Sequence, residues 1–133
     1  MSANLTSYKC LRVEDAANAT GTTTISVADF APQGCTIRAI VMETQASAGG
    51  AGTIAITKGS GGNSLFNLGA PANQDQSART TGVTTFQLTT TDADLKLAAT
   101  DSIVIVRATA NSQSDYSFYY GDFEPKAVTT VLS

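Results

Sequence analysis

The stretch Asp101-Ser102-Ile103-Val104-Ile105-Val106-Arg107-Ala108-Thr109-Ala110 constrains the fold more than any other, because it holds the longest unbroken run of isoleucine and valine in the chain. A strand sends successive side chains to opposite faces, so Ile103 and Ile105 share one face while Val104 and Val106 share the other. Both faces are apolar, and such a strand is covered on both sides. No stretch has the amphipathic pattern of a helix that could supply the second cover, which leaves another sheet or another subunit. The same double-sided pattern recurs over 35–45. There Ile37, Ala39 and Val41 fall on one face, and Ile40 and Met42, beside Arg38, on the other.

The remaining segments read as further short strands separated by turn signals. Residues 8–14 alternate with Leu11 and Val13 inward, 22–28 with Ile25 and Val27, and 52–58 with Ile54 and Ile56. A short strand over 64–68 holds Leu65 and Phe66, 82–90 carries Phe86 and Leu88, and 95–97 is brief. The last strand, 115–123, places Tyr116, Phe118 and Tyr120 on one face and Tyr119 and Phe123 on the other, and Pro125 ends it. Gly59-Ser60-Gly61-Gly62-Asn63 reads as a flexible hairpin tip, and 69–82 as the longest loop. Eight or nine short strands without a fixed repeat predict an all-β fold, an antiparallel β-sandwich of jelly-roll type. Common parity puts Ile37, Val41, Ile54, Ile56, Phe86, Leu88, Ile103 and Ile105 in one core. Residues 1–125 form a single domain. The apolar tail 126–133 either adds an edge strand to its own sheet or acts as an arm on a neighbouring subunit.

Composition fits this reading and narrows the function. A chain of 133 residues supports one core, and aromatic content of 7% with no Trp and no His marks it as modest, built from small and β-branched residues. A net charge of −3 argues against binding nucleic acid or an anionic membrane surface. No apolar run approaches the ~20 residues of a membrane span, and 1–6 has neither the basic nor the apolar region of a secretion signal, so synthesis and folding in the cytoplasm are expected.

Without His, no Ser-His-Asp or Cys-His arrangement can be built, and the commonest metal ligand is missing. No catalytic, cofactor-binding or metal-binding residue is therefore assigned. Asp92, Asp94 and Asp101 read as turn residues ahead of a calcium site, since the glycine and terminal glutamate of a calcium loop are lacking. Asp115, Asp122 and Glu124 read as a solvated strand edge. In the glycine loop Lys58 precedes the glycines and no helix follows, which rules out the phosphate-binding pattern. Cys10 and Cys35 match no zinc or redox spacing and read as buried free thiols ahead of a disulfide. The Tyr116–Phe123 aromatics suit core or subunit contact ahead of a sugar-stacking platform. Apolar residues opposite the core, in the last strand and in the tail make Ile40, Met42, Val104, Val106, Tyr119, Phe123, Val128 and Val131 the candidate oligomer interface.

With segments such as Thr22-Thr23-Thr24-Ile25-Ser26-Val27 and Leu97-Ala98-Ala99-Thr100-Asp101-Ser102-Ile103-Val104, this His-free, Thr/Ala/Gly-rich acidic chain resembles the small jelly-roll decoration, or cement, proteins of tailed bacteriophage heads. The resemblance lies in overall style, with no diagnostic motif to carry a site residue across. It implies a non-enzymatic virion structural protein, a homo-oligomer with a trimer ahead of a dimer. Such a protein sits on the capsid surface against the major capsid protein and stabilises the lattice against internal pressure. Residues 1–7, 69–82 and 126–133 are then the expected capsid contacts. The alternative is a carbohydrate-binding jelly-roll module of a receptor-binding or tail-fibre apparatus.

Overall fold

A computed structural model of the protein describes residues 8–14, 21–46, 53–67, 74–75, 82–107 and 113–121. Nine strands run through them: β1 (Lys9–Glu14), β2 (Gly21–Ser26), β3 (Cys35–Ala46), β4 (Thr53–Lys58), β5 (Gln74–Asp75), β6 (Gly82–Thr85), β7 (Lys96–Leu97), β8 (Ser102–Arg107) and β9 (Gln113–Gly121). Two single helical turns, α1 (Val27–Phe30) and α2 (Asp92–Leu95), interrupt them. The strands form two antiparallel sheets. One has the order β1-β9-β3-β6, with β7 also on β3, and the other the order β2-β8-β4-β5. The chain crosses from one sheet to the other at every connection except β4 to β5 and β6 to β7. The fold is an all-β antiparallel sandwich, as the strand pattern predicts.

Strand β8 lies between β2 and β4, with Ile103 opposite Ile25 and Ile105 opposite Ile56. Ile54, Ile56, Ile103 and Ile105 are fully buried and face Ile37, Ile40, Met42, Tyr116 and Phe118 across the sandwich. Phe66 and Phe86 stack with ring centroids 5.0 Å apart, and Phe30 meets Tyr120 edge-on at 5.1 Å. Offset and edge-on pairs of this kind add to the area they bury.

The face assignment within β3 requires a correction. Ile37 lies opposite Tyr120 and Ala39 opposite Tyr119, so Arg38 is an extra residue, a β-bulge that shifts the alternation by one. Before the bulge Cys35 and Ile37 point inward. After it Ile40 and Met42 do, both fully buried, and Val41 is turned out of the core. Val41 is therefore not a core residue, and Ile40 and Met42 are not on the face opposite the core. Leu88 only packs against the core margin, and 64–67 makes isolated bridges through Ser64 and Phe66 without forming a strand, Leu68 lying outside the described residues. The expected strand end at 27–28 is instead the α1 turn, whose Val27 is buried and donates its N–H to the Asp101 carbonyl.

Candidate interaction faces

The pairing register maps the outer face of the β1-β9-β3-β6 sheet. Cys10, Tyr119 and Ala39 form one cross-strand row, Arg12, Ser117, Val41 and Thr85 the next, and Glu14, Asp115, Glu43 and Val83 the third. Tyr8 continues the face at one end, since a Cβ added at Gly121 would sit 3.7 Å from its ring and 4.0 Å from Arg38 Nε. The described large apolar side chains that remain exposed are Tyr8, Val83 and Tyr119, at 57, 66 and 37%, and all three lie on this one face. Tyr119 is where its parity in the last strand put it. Cys10 is exposed beside it, against the expectation of two buried thiols, while Cys35 is buried and both are free. Loss of hydration pushes the Cys35 thiol up to about 11.

The other end of the face is charged. Arg12 on β1 bonds Glu14 at 3.3 Å, Asp115 on β9 at 2.9 Å and approaches Glu43 on β3 at 3.5 Å, so one guanidinium ties three strands. Its pKa is raised, chiefly by the hydrogen bond to Glu14, with the charge of Asp115 and the hydrogen bond to Glu43 adding to it. Asp115 is buried, with Arg12 as its cation. That corrects its reading as a solvated edge residue; Asp122 and Glu124 lie outside the described residues. Three carboxylates against one cation leave this end net acidic, while Arg38 marks the aromatic end. Only the Arg12–Glu14 spacing is visible in the sequence, because Arg12 meets Asp115 and Glu43 through strand pairing alone.

The outer face of the β2-β8-β4-β5 sheet is different. Val104 and Val106 point outward as predicted, flanked by Thr22 and Thr24 on β2 and by Ala55 and Thr57 on β4. Val104 is only 2% exposed and Val106 half-buried, so neither stands out as free contact surface. Phe123, Val128 and Val131 lie outside the described residues, as do 1–7, 126–133 and most of 69–82. Tyr116, Phe118 and Tyr120 are buried in the core, and the Tyr120 hydroxyl donates to the Phe30 carbonyl at 3.2 Å. Of the tyrosines weighed as a sugar platform, only Tyr119 reaches the surface.

The acidic turn resolves into local bonding. Asp101 accepts the Ala98 N–H at 2.7 Å, closing the turn before β8, and Asp94 accepts from Asn63 Nδ2 at 3.0 Å. Among the described residues no three His, Cys, Asp or Glu side chains gather where they could hold a metal, and no helix is long and apolar enough to cross a membrane. Comparison with known proteins finds no matching family model, no matching curated protein and no matching solved structure.

Proposed function

We propose that the protein is a non-enzymatic structural component of a virion, an oligomeric decoration protein that binds and stabilises a phage capsid. The observation that carries this reading is the outer face of the β1-β9-β3-β6 sheet. Tyr8, Tyr119 and Val83 are spread over it with Ala39 and Val41 between them, which is the make-up of a contact surface. Its ends are complementary in charge, Arg38 at one and the Glu14–Glu43–Asp115 group at the other, so a second copy offers each end a partner. A chain without His has few routes to acid–base chemistry, and contact area is what it has to contribute. In a trimer, tethering three modest contacts raises the second and third to about millimolar effective concentration.

Sedimentation and rebinding to heads that lack the protein test the proposal. The expected results are an oligomer, a trimer ahead of a dimer, cosedimentation with mature heads, and a higher head-disruption temperature. Tyr119→Asp and Val83→Asp, both exposed, are expected to weaken association or attachment without unfolding the sandwich. A monomer that ignores heads, with variants indistinguishable from the parent, overturns the reading.

A further inference from the structure

We infer that the cleft between the Gly59–Asn63 hairpin and the α2 turn is a binding site for a neutral saccharide. The cleft is lined by Asn63, Ser64, Phe66, Thr89, Thr91 and Asp94 and has a volume of about 380 Å³, within the range of small-molecule sites. None of its lining residues belongs to the contact face mapped above, and the inference does not depend on the assembly role.

The walls are held in place by residues far apart in the chain. Lys58 Nζ reaches over to donate to the carbonyls of Ala93 at 3.1 Å and Lys96 at 3.0 Å, and Asn63 Nδ2 donates to Asp94 Oδ1 at 3.0 Å. The hairpin backbone is fixed as well, with the Lys58 N–H on the Asn63 carbonyl and the Gly59 N–H on the Ser102 carbonyl, both at 2.9 Å. Gly59 and Gly61 supply the positive φ this turn needs, at 80° and 68°. The loop read from sequence as a flexible tip is instead strapped to α2. A site prepared before its ligand arrives avoids the ordering cost of binding.

The chemistry of the lining selects the ligand class. The bond between Asn63 and Asp94 uses one carboxylate oxygen and one amide hydrogen; Asp94 Oδ2, Asn63 Oδ1 and the Thr91 hydroxyl have no other partner among the described residues. A charged acceptor, an amide and a hydroxyl set side by side match adjacent sugar hydroxyls, each of which both donates and accepts. An anionic ligand meets the Asp94 charge, and the Lys58 ammonium that straps the hairpin to α2 is committed to two carbonyls. A divalent cation finds a single carboxylate in the lining, and an apolar ligand finds Phe66 as the one aromatic side chain among three hydroxyls, an amide and that carboxylate.

Amide NMR titration of the full chain with glucose, galactose, mannose and N-acetylglucosamine tests the site. At least one sugar is expected to shift the amides of residues 63–64 and 89–94 with a saturating, millimolar profile. Asp94→Asn keeps an acceptor for Asn63 and so preserves the cleft, yet loses the charge, and is expected to weaken binding about tenfold or more. Thr91→Val removes an exposed hydroxyl that bonds nothing in the described chain, so it reports on binding with the fold intact. Silence from all four sugars at concentrations far above millimolar overturns the inference. So does equal affinity in Asp94→Asn and Thr91→Val, or a response confined to the Tyr119 face.

Discussion

Replacing Ile40 and Val41 by Ala, one at a time, separates two readings of β3 that differ by a single residue. If the strand alternated without interruption from Ile37, Val41 would lie in the core and Ile40 outside. With the bulge at Arg38, the order reverses. Ile40 is fully buried, and Ile40→Ala removes three carbon groups, about 2.4 kcal/mol of transfer free energy at ~0.8 each, before the cavity is counted. Partial collapse around the void adds roughly 1 kcal/mol, for a total of about 3–4. Val41→Ala removes two groups from a half-buried outer position and is expected to cost about 1 kcal/mol or less. For a domain of this size the entropy of unfolding is about 0.28 kcal/mol/K, so the melting temperatures should fall by roughly 10–14 °C and 4 °C or less. Thermal and urea unfolding followed by far-UV circular dichroism measure both, at two protein concentrations so that any share due to association is seen as a concentration dependence. Equal losses, or a larger loss for Val41→Ala, would refute the bulge.

Three further outcomes are expected. Cys35 should resist a thiol reagent at pH 8 while Cys10 reacts at once, because a folded-state pKa pushed up to about 11 leaves Cys35 protonated and buried; thiol titration before and after unfolding counts one fast and one latent group. The raised value also means that the neutral thiol is the form the fold favours, so stability from this group is present at neutral pH and is lost as pH climbs through the thiol's unfolded range toward 11. Gly62→Ala should destabilise more than Gly61→Ala although only Gly61 has positive φ. A Cβ at Gly62 would collide with the Lys58 carbonyl oxygen and force the hairpin apart, whereas the strain at Gly61 costs about 1 kcal/mol; unfolding midpoints of the two variants decide it. Arg12→Met should lower the melting temperature while Glu14→Gln leaves it nearly unchanged, because only the first strips a buried carboxylate of its cation.

The sandwich was legible where alternation was local. Ile54 and Ile56 in β4, Ile103 and Ile105 in β8, and Tyr116 and Phe118 in β9 each keep one parity from end to end, so period 2 placed them correctly. Strand β3 misled because both of its faces are apolar, and a one-residue slip then leaves no misplaced polar side chain to betray it. The surface was less legible still. Tyr119 follows from parity alone, but the Arg12 cluster and the Asn63–Asp94 bond join residues from distant segments, and only the pairing of strands brings them together. Local propensity has no term for such meetings.

The neighbourhood of β1 and β9 also bears on how the chain reaches this state. Lys9 pairs with Tyr120, so the strand that emerges first from a ribosome among those described must wait for the last one before it has a neighbour. The central strands of the opposite sheet complete earlier, once β8 arrives to lie between β2 and β4. Closing loops of this length before any contact rewards them makes for slow folding, in the millisecond-to-second range typical of sandwiches. Until then Leu11 and Val13, which pack against the finished core, are open to the wrong partners, and β1 is the element from which exchange of strands between copies would start.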